Sequence, residues 1–190
     1  MSVEAAASLR LWAVTIELGG QEYTIPPRPA SDWVVAVLDA TDEVFPTLAL
    51  LEPDDYEAVK DRILLDQAVT FEEVAEVSQQ ALAAVSGWKW WTAQTLIFSA
   101  AKEWRLISGE MTKRGLDPGR LPLGAWLNGL YAMATEKLDQ SERMSFDMRL
   151  DRPPANSTVA PEDREEWAAE AFAAAILEAG GSLQPPPGTG

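Results

Sequence analysis

Asp54, Asp55, Asp61 and Asp66 are the carboxylates whose clustering comes nearest to general acid–base or cation chemistry. A carboxylate group becomes a site only beside other motif residues, and none accompany these. Asp54-Asp55 directly after Pro53 reads as a helix start, because carboxylates stabilise the positive end of the helix dipole. Lys113, Arg114 and Arg120 form the densest basic cluster and the candidate anion site. They lie on a Gly/Pro-punctuated stretch, 113–120, that reads more simply as a solvated loop. The chain has no histidine and no cysteine. The commonest general base, thiolate nucleophiles, thiolate zinc sites and disulfides are thereby excluded. No nucleophile-elbow serine and no phosphate-binding glycine loop followed by lysine is present. These residues point to a non-catalytic protein with no cofactor and no metal.

Aromatic side chains carry the remaining chemistry. Gly87-Trp88-Lys89-Trp90-Trp91 opens a helix expected to run to about Ser108. At helical period Trp90, Ala93, Ile97, Ala100, Ala101, Trp104 and Ile107 share one face, the spacing of a core stripe. Trp91, Leu96 and Phe98 widen that stripe, which makes this the central helix, with Gly109 as its left-handed C-cap. Successive tryptophans cannot all point inward on one helix. Trp88, Trp91 and Phe98 are therefore candidates for partner binding, with Trp126 and Tyr131 from a later helix and Trp167 and Phe172 near the C-terminus. Tyr23, Ile25, Trp167, Phe172 and Ile176 are the candidates for self-association.

The 190 residues suffice for one domain with a proper core, and 47% are hydrophobic. Acidic residues number 30 against 15 basic, a net charge of −15. A chain so charged is repelled by nucleic-acid backbones, so nucleic-acid binding is not expected. No apolar run is long enough to span a membrane and no signal peptide is expected, which places the protein in the cytoplasm.

Residues 1–10 read as a leader. Trp12, Val14, Ile16 and Leu18 alternate with polar neighbours as in a half-buried strand. Gly19-Gly20 makes a two-residue turn, and 21–25 return to Pro26-Pro27. Ser31 is the expected cap of a short helix bearing Trp33, Val34, Val37 and Leu38. A helix from Pro53 places Tyr56, Val59 and Ile63 together. Thr70 and Glu73 have capping-box spacing ahead of the stripe Phe71, Val74, Ser78, Ala81, Leu82 and Val85. A helix from near Pro122 presents Leu123, Trp126, Leu127, Leu130 and Tyr131 and ends by about Ser141. The expected fold is mainly α: a compact helical domain over 11–140 with a small N-terminal β-hairpin, then a linker (141–160). A tethered C-terminal amphipathic helix (161–180) and a disordered tail (181–190) complete it.

The order of segments resembles a known family. Gly19-Gly20-Gln21-Glu22-Tyr23-Thr24-Ile25-Pro26 is followed by the helix capped near Thr70, then by Val85-Ser86-Gly87-Trp88-Lys89-Trp90-Trp91-Thr92-Ala93. Trp104-Arg105-Leu106-Ile107-Ser108-Gly109, Gly115-Leu116-Asp117-Pro118 and Leu121-Pro122-Leu123-Gly124-Ala125-Trp126-Leu127 complete the series. This arrangement, covering about 10–138, resembles the tail assembly chaperones of long-tailed actinobacteriophages. The resemblance implies a helical protein made in the infected cell that coats the tape measure protein and keeps it soluble. Such a protein promotes assembly of tail-tube subunits and is absent from the mature virion; a homo-oligomer is expected separately, from the hairpin edges and the tethered C-terminal helix. The family is commonly made in two lengths by a translational frameshift, and Pro186-Pro187-Gly188 can be encoded as a run of C passing into a run of G. A head–tail connector that stays in the virion and an acidic nucleic-acid mimic are the other readings. Basic residues such as Arg62, Lys102 and Arg105 among the acids weigh against the mimic.

Overall fold

The computed structural model describes residues 11–39 and 46–154. The chain divides into two compact units, 1–136 and 137–190. The described residues are mainly helical with an N-terminal β-hairpin, as the sequence pattern predicts.

In the first unit the hairpin pairs β1 (Val14–Leu18) with β2 (Gln21–Ile25), antiparallel and in register from Val14↔Ile25 to Leu18↔Gln21. Alternation puts Ile16, Leu18, Tyr23 and Ile25 inside and Glu17, Glu22 and Thr24 outside. The turn needs positive φ at both central positions, and Gly19 (58°) and Gly20 (77°) supply it. The helices are α1 (Ala30–Asp39), α2 (Pro53–Leu64), α3 (Phe71–Ser86), α4 (Trp90–Lys102), α5 (Trp104–Lys113) and α6 (Leu123–Thr135), with a 3-10 turn at Leu48–Leu50. The long amphipathic α3 packs on β1, α4 and α6, while α1 lies on α4 and α6. Trp33, Val74, Leu82, Ile97, Trp126 and Leu127 are among the side chains buried in the resulting core.

Local chemistry explains several helix ends. Pro53 occupies the first turn of α2, with Asp54 and Asp55 at its positive end. The Thr70 side chain accepts from the Glu73 N–H at 3.1 Å, and Gly87 ends α3 with φ 69°. Glu73 does not close the box that its spacing suggests. Its carboxylate accepts the Gly19 N–H at 2.6 Å, so a residue at the start of α3 holds the hairpin turn. Arg62 completes the clamp, donating to the carbonyls of Leu18 (3.0 Å) and Gly19 (2.7 Å). The start of α1 also differs from expectation. The helix begins at Ala30, so Ser31 lies inside it. The Ala30 and Ser31 N–H groups donate to the carbonyls of Leu121 (2.8 Å) and Pro118 (2.9 Å). A remote loop satisfies the donors that a capping side chain would have taken.

The largest departure lies in the central helix. It stops at Lys102, and α5 starts afresh at Trp104. Glu103, with φ −120° and ψ 32°, is the hinge. No glycine or proline marks the break. Gly109 lies within α5, and Arg114 rather than Gly109 caps that helix. Trp104, expected in the buried stripe, is exposed, whereas Trp91 and Thr92 are buried and Trp90 is half-buried.

In the second unit the described residues form α7 (Gln140–Asp151), where the sequence reading places the start of a linker. Asp139 accepts from the Glu142 N–H and Glu142 accepts from the Asp139 N–H, a closed capping box. The leader and everything after residue 154, including the expected C-terminal helix and tail, fall outside the described residues.

Candidate interaction surfaces

The structure sorts the aromatic candidates into core and surface. Trp126 is fully buried and Trp91 nearly so. Both are core residues, and the expectation that they bind a partner is corrected: α6 is covered by α1, α3 and α4, which leaves Trp126 no outer face. Tyr23 and Ile25, expected at a self-association edge, are buried as well, because the hairpin lays that face on α3. The Tyr23 hydroxyl accepts from Arg62 Nη1 at 3.3 Å. Trp88 and Tyr131 are brought together, half-buried, with ring centroids 5.4 Å apart. The Trp88 indole N–H donates to Asn128 Oδ1 at 3.0 Å, which fixes the ring against α6. Phe98 is exposed. Trp167, Phe172 and Ile176 lie outside the described residues.

Two of the outward apolar regions lie where helices join; Leu11 and Trp12 ahead of β1 and Val35 and Leu38 on α1 are exposed as well. The first is the connection between α2 and α3. Leu64, Leu65 and Phe71 are 61%, 73% and 54% exposed there. Asp61, Asp66 and Glu72 stand exposed among them. Arg62, the nearest cation in sequence, is committed to the hairpin turn. The connection is folded tightly: Ala68 N–H donates to the Arg62 carbonyl at 3.0 Å, and Gln67 takes φ 51°. A legible signal existed, since Leu64 and Leu65 fall off the Val59/Ile63 stripe of their own helix.

The second region is the elbow between α4 and α5. Phe98, Trp104 and Leu106 are 41%, 39% and 71% exposed. Lys102 and Arg105 are exposed beside them. Neither cation makes an ion pair among the described residues. The inner side of the Trp104 ring leans on Trp126, with centroids 6.2 Å apart and planes tilted by 47°.

The basic loop at 113–120 is not comparable. Arg114 pairs with Glu136 (2.8 Å) and Glu110 (3.2 Å), Lys113 with Glu110 (3.4 Å), and Arg120 with Asp117 (3.4 Å). Hydrogen bonds from Arg114 and then Lys113 hold the Glu110 carboxyl below the usual range, and bonds to Glu136 and Glu110 raise Arg114. Cations already paired offer little to an added anion. Asp117 also accepts the Gly119 N–H at 2.9 Å, so the loop is ordered by its own groups. Among the described residues no group of three or more acidic, histidine or cysteine side chains is placed to hold a metal, and no helix is long and apolar enough to cross a membrane.

The chain matches no protein-family model, no curated protein and no solved structure.

Proposed function

We propose that this chain is a tail assembly chaperone of a long-tailed actinobacteriophage. It acts without catalysis in the cytoplasm of the infected host, binds the tape measure protein, and promotes assembly of tail-tube protein around it. It then departs before the virion matures. The order of tryptophan, glycine and turn segments from Gly19 to Leu127 suggests the family. The single structural observation supporting a client-binding role is the α2–α3 connection, with Leu64, Leu65 and Phe71 turned outward among Asp61, Asp66 and Glu72. Apolar patches rimmed by polar residues are the usual marks of a protein-binding surface. The apolar side chains would cover exposed apolar stripes of a long client. The surrounding carboxylates, on a chain of net charge −15, would keep the complex dispersed by mutual repulsion.

Coexpression with the tape measure protein tests this reading. The client is expected in the soluble fraction and copurifying with this chain, and purified virions are expected to lack it. A client that stays insoluble would overturn the chaperone reading, and presence of the chain in virions would favour a connector.

A further inference from the structure

We propose that the α4–α5 elbow is the docking surface for the C-terminal segment, residues 161–179, of a second copy of this chain. This does not rest on the chaperone reading. The elbow is the exception in an acidic molecule. It turns Phe98, Trp104 and Leu106 outward and sets beside them Lys102 and Arg105, exposed and without carboxylate partners among the described residues, against the single exposed carboxylate of Glu103. An occupant that fits must bring apolar side chains to cover the rings and carboxylates to meet the two cations.

The chain's own sequence contains such a segment. Residues 161–179 carry Glu162, Asp163, Glu165, Glu166, Glu170 and Glu178 against the single cation Arg164. Within the same stretch Trp167, Ala171, Phe172, Ala175 and Ile176 recur at helical spacing. Glu170, and Glu166 one turn before it, lie on the polar side of the segment just beyond Trp167. Surface and complement thus sit on one polypeptide at different places, and copies that meet through them meet head to tail. Each copy offers one elbow and one segment. The contact is heterologous and builds a ring if the rotation closes and an open chain if it does not.

The acidic α2–α3 connection is the wrong receptor for this segment, because Asp61, Asp66 and Glu72 would face its carboxylates. The loop at 113–120 is wrong for a different reason. Its cations are held by Glu110, Asp117 and Glu136, which would have to be displaced.

A charge exchange tests the proposal. The full chain is compared by sedimentation with Lys102→Glu/Arg105→Glu and with Glu166→Lys/Glu170→Lys. Wild-type chain should self-associate at high micromolar concentration, and added salt should weaken it. Each variant alone should associate about tenfold more weakly or less, since like charges then face each other. An equimolar mixture of the two should recover the wild-type association, because each reversed surface meets a reversed partner. Circular dichroism establishes that the variants are folded. If the reversed pair at the elbow unfolds, Lys102→Gln/Arg105→Gln replaces it with the same direction of effect. A wild-type chain that is strictly monomeric overturns the proposal. So does undiminished association of either variant, or a mixture that associates no better than its components.

Discussion

The α2–α3 connection and the α4–α5 elbow expose similar apolar side chains and differ in the charge around them. Leu64, Leu65 and Phe71 stand among Asp61, Asp66 and Glu72, whereas Phe98, Trp104 and Leu106 stand beside Lys102 and Arg105, with Glu103 the one acid between them. Burial of apolar area is attractive toward any apolar partner and cannot choose among them. Charge at the rim supplies the choice, because a like-charged partner is rejected and an opposite one is steered in. One molecule can therefore carry two sticky regions without confusing them. Under the proposed docking, an acidic segment would be turned away at the first and accepted at the second.

The comparison requires that both regions be surface, with stability carried elsewhere. The largest expected effect concerns that division. Trp126→Ala should cost about 3–5 kcal/mol in urea unfolding, the loss typical of a fully buried large side chain. Trp104→Ala, removing a ring with one open side, should cost about 1–2 kcal/mol. Equal costs would break the division between core and elbow. Trp126→Phe should cost less than about 1 kcal/mol, because the buried indole N–H has no acceptor among the described residues and its removal offsets lost volume.

The hairpin clamp gives the next effect. A Cβ on Gly19 would lie 2.8 Å from the Ala68 carbonyl oxygen and 2.9 Å from Val69 Cγ2, at φ 58°. At Gly20 a Cβ meets open space, although φ is 77°. Gly19→Ala should therefore cost about 2–3 kcal/mol and Gly20→Ala about 1 kcal/mol, read by thermal unfolding. This sharpens the comparison by locating rigidity at the turn that Arg62 and Glu73 hold, directly beneath the α2–α3 connection.

Much of this was legible in residue patterns, and the failures share a cause. The hairpin, the Thr70 cap, the Gly87 stop and the Pro53 start each depend on chemistry local to a few residues, and each is found where the sequence places it. Glu73 and Ser31 are different. Glu73 has the capping-box spacing but reaches the hairpin, and Ser31 lies inside α1, whose first N–H groups donate to Pro118 and Leu121, partners remote in sequence. Glu103 is the hardest case. Periodicity assigns faces only while the helix axis continues, and a hinge without glycine or proline leaves no mark. The elbow was hidden for that reason, while Leu64 and Leu65 stood in view, off their helix's stripe.

Smaller effects complete the set. Leu65→Ser and Leu106→Ser should each change folding stability by no more than about 0.5 kcal/mol, since both side chains are already in water. A larger loss at either position would return that residue to the core. Smallest of all is the titration of Glu110. Its carboxyl is held below the usual range by Arg114 and Lys113. A depressed folded-state value means that its stabilising contribution is present above the ordinary glutamate range and is lost as pH falls through the folded value. The pair is exposed, so the contribution is slight. An NMR titration of Glu110 should show the depressed midpoint, and Glu136→Gln should leave it low. An ordinary midpoint would release Lys113 and Arg114, extend the basic face from the elbow into the loop, and blur the contrast between the two regions.

The central claim, that the two apolar regions have different occupants, is tested most directly by the soluble fraction of tape measure protein coexpressed with Leu64→Ser/Leu65→Ser. The variant should fold and self-associate like wild type yet leave most of the client insoluble. A client kept as soluble by this variant as by wild type would contradict the account.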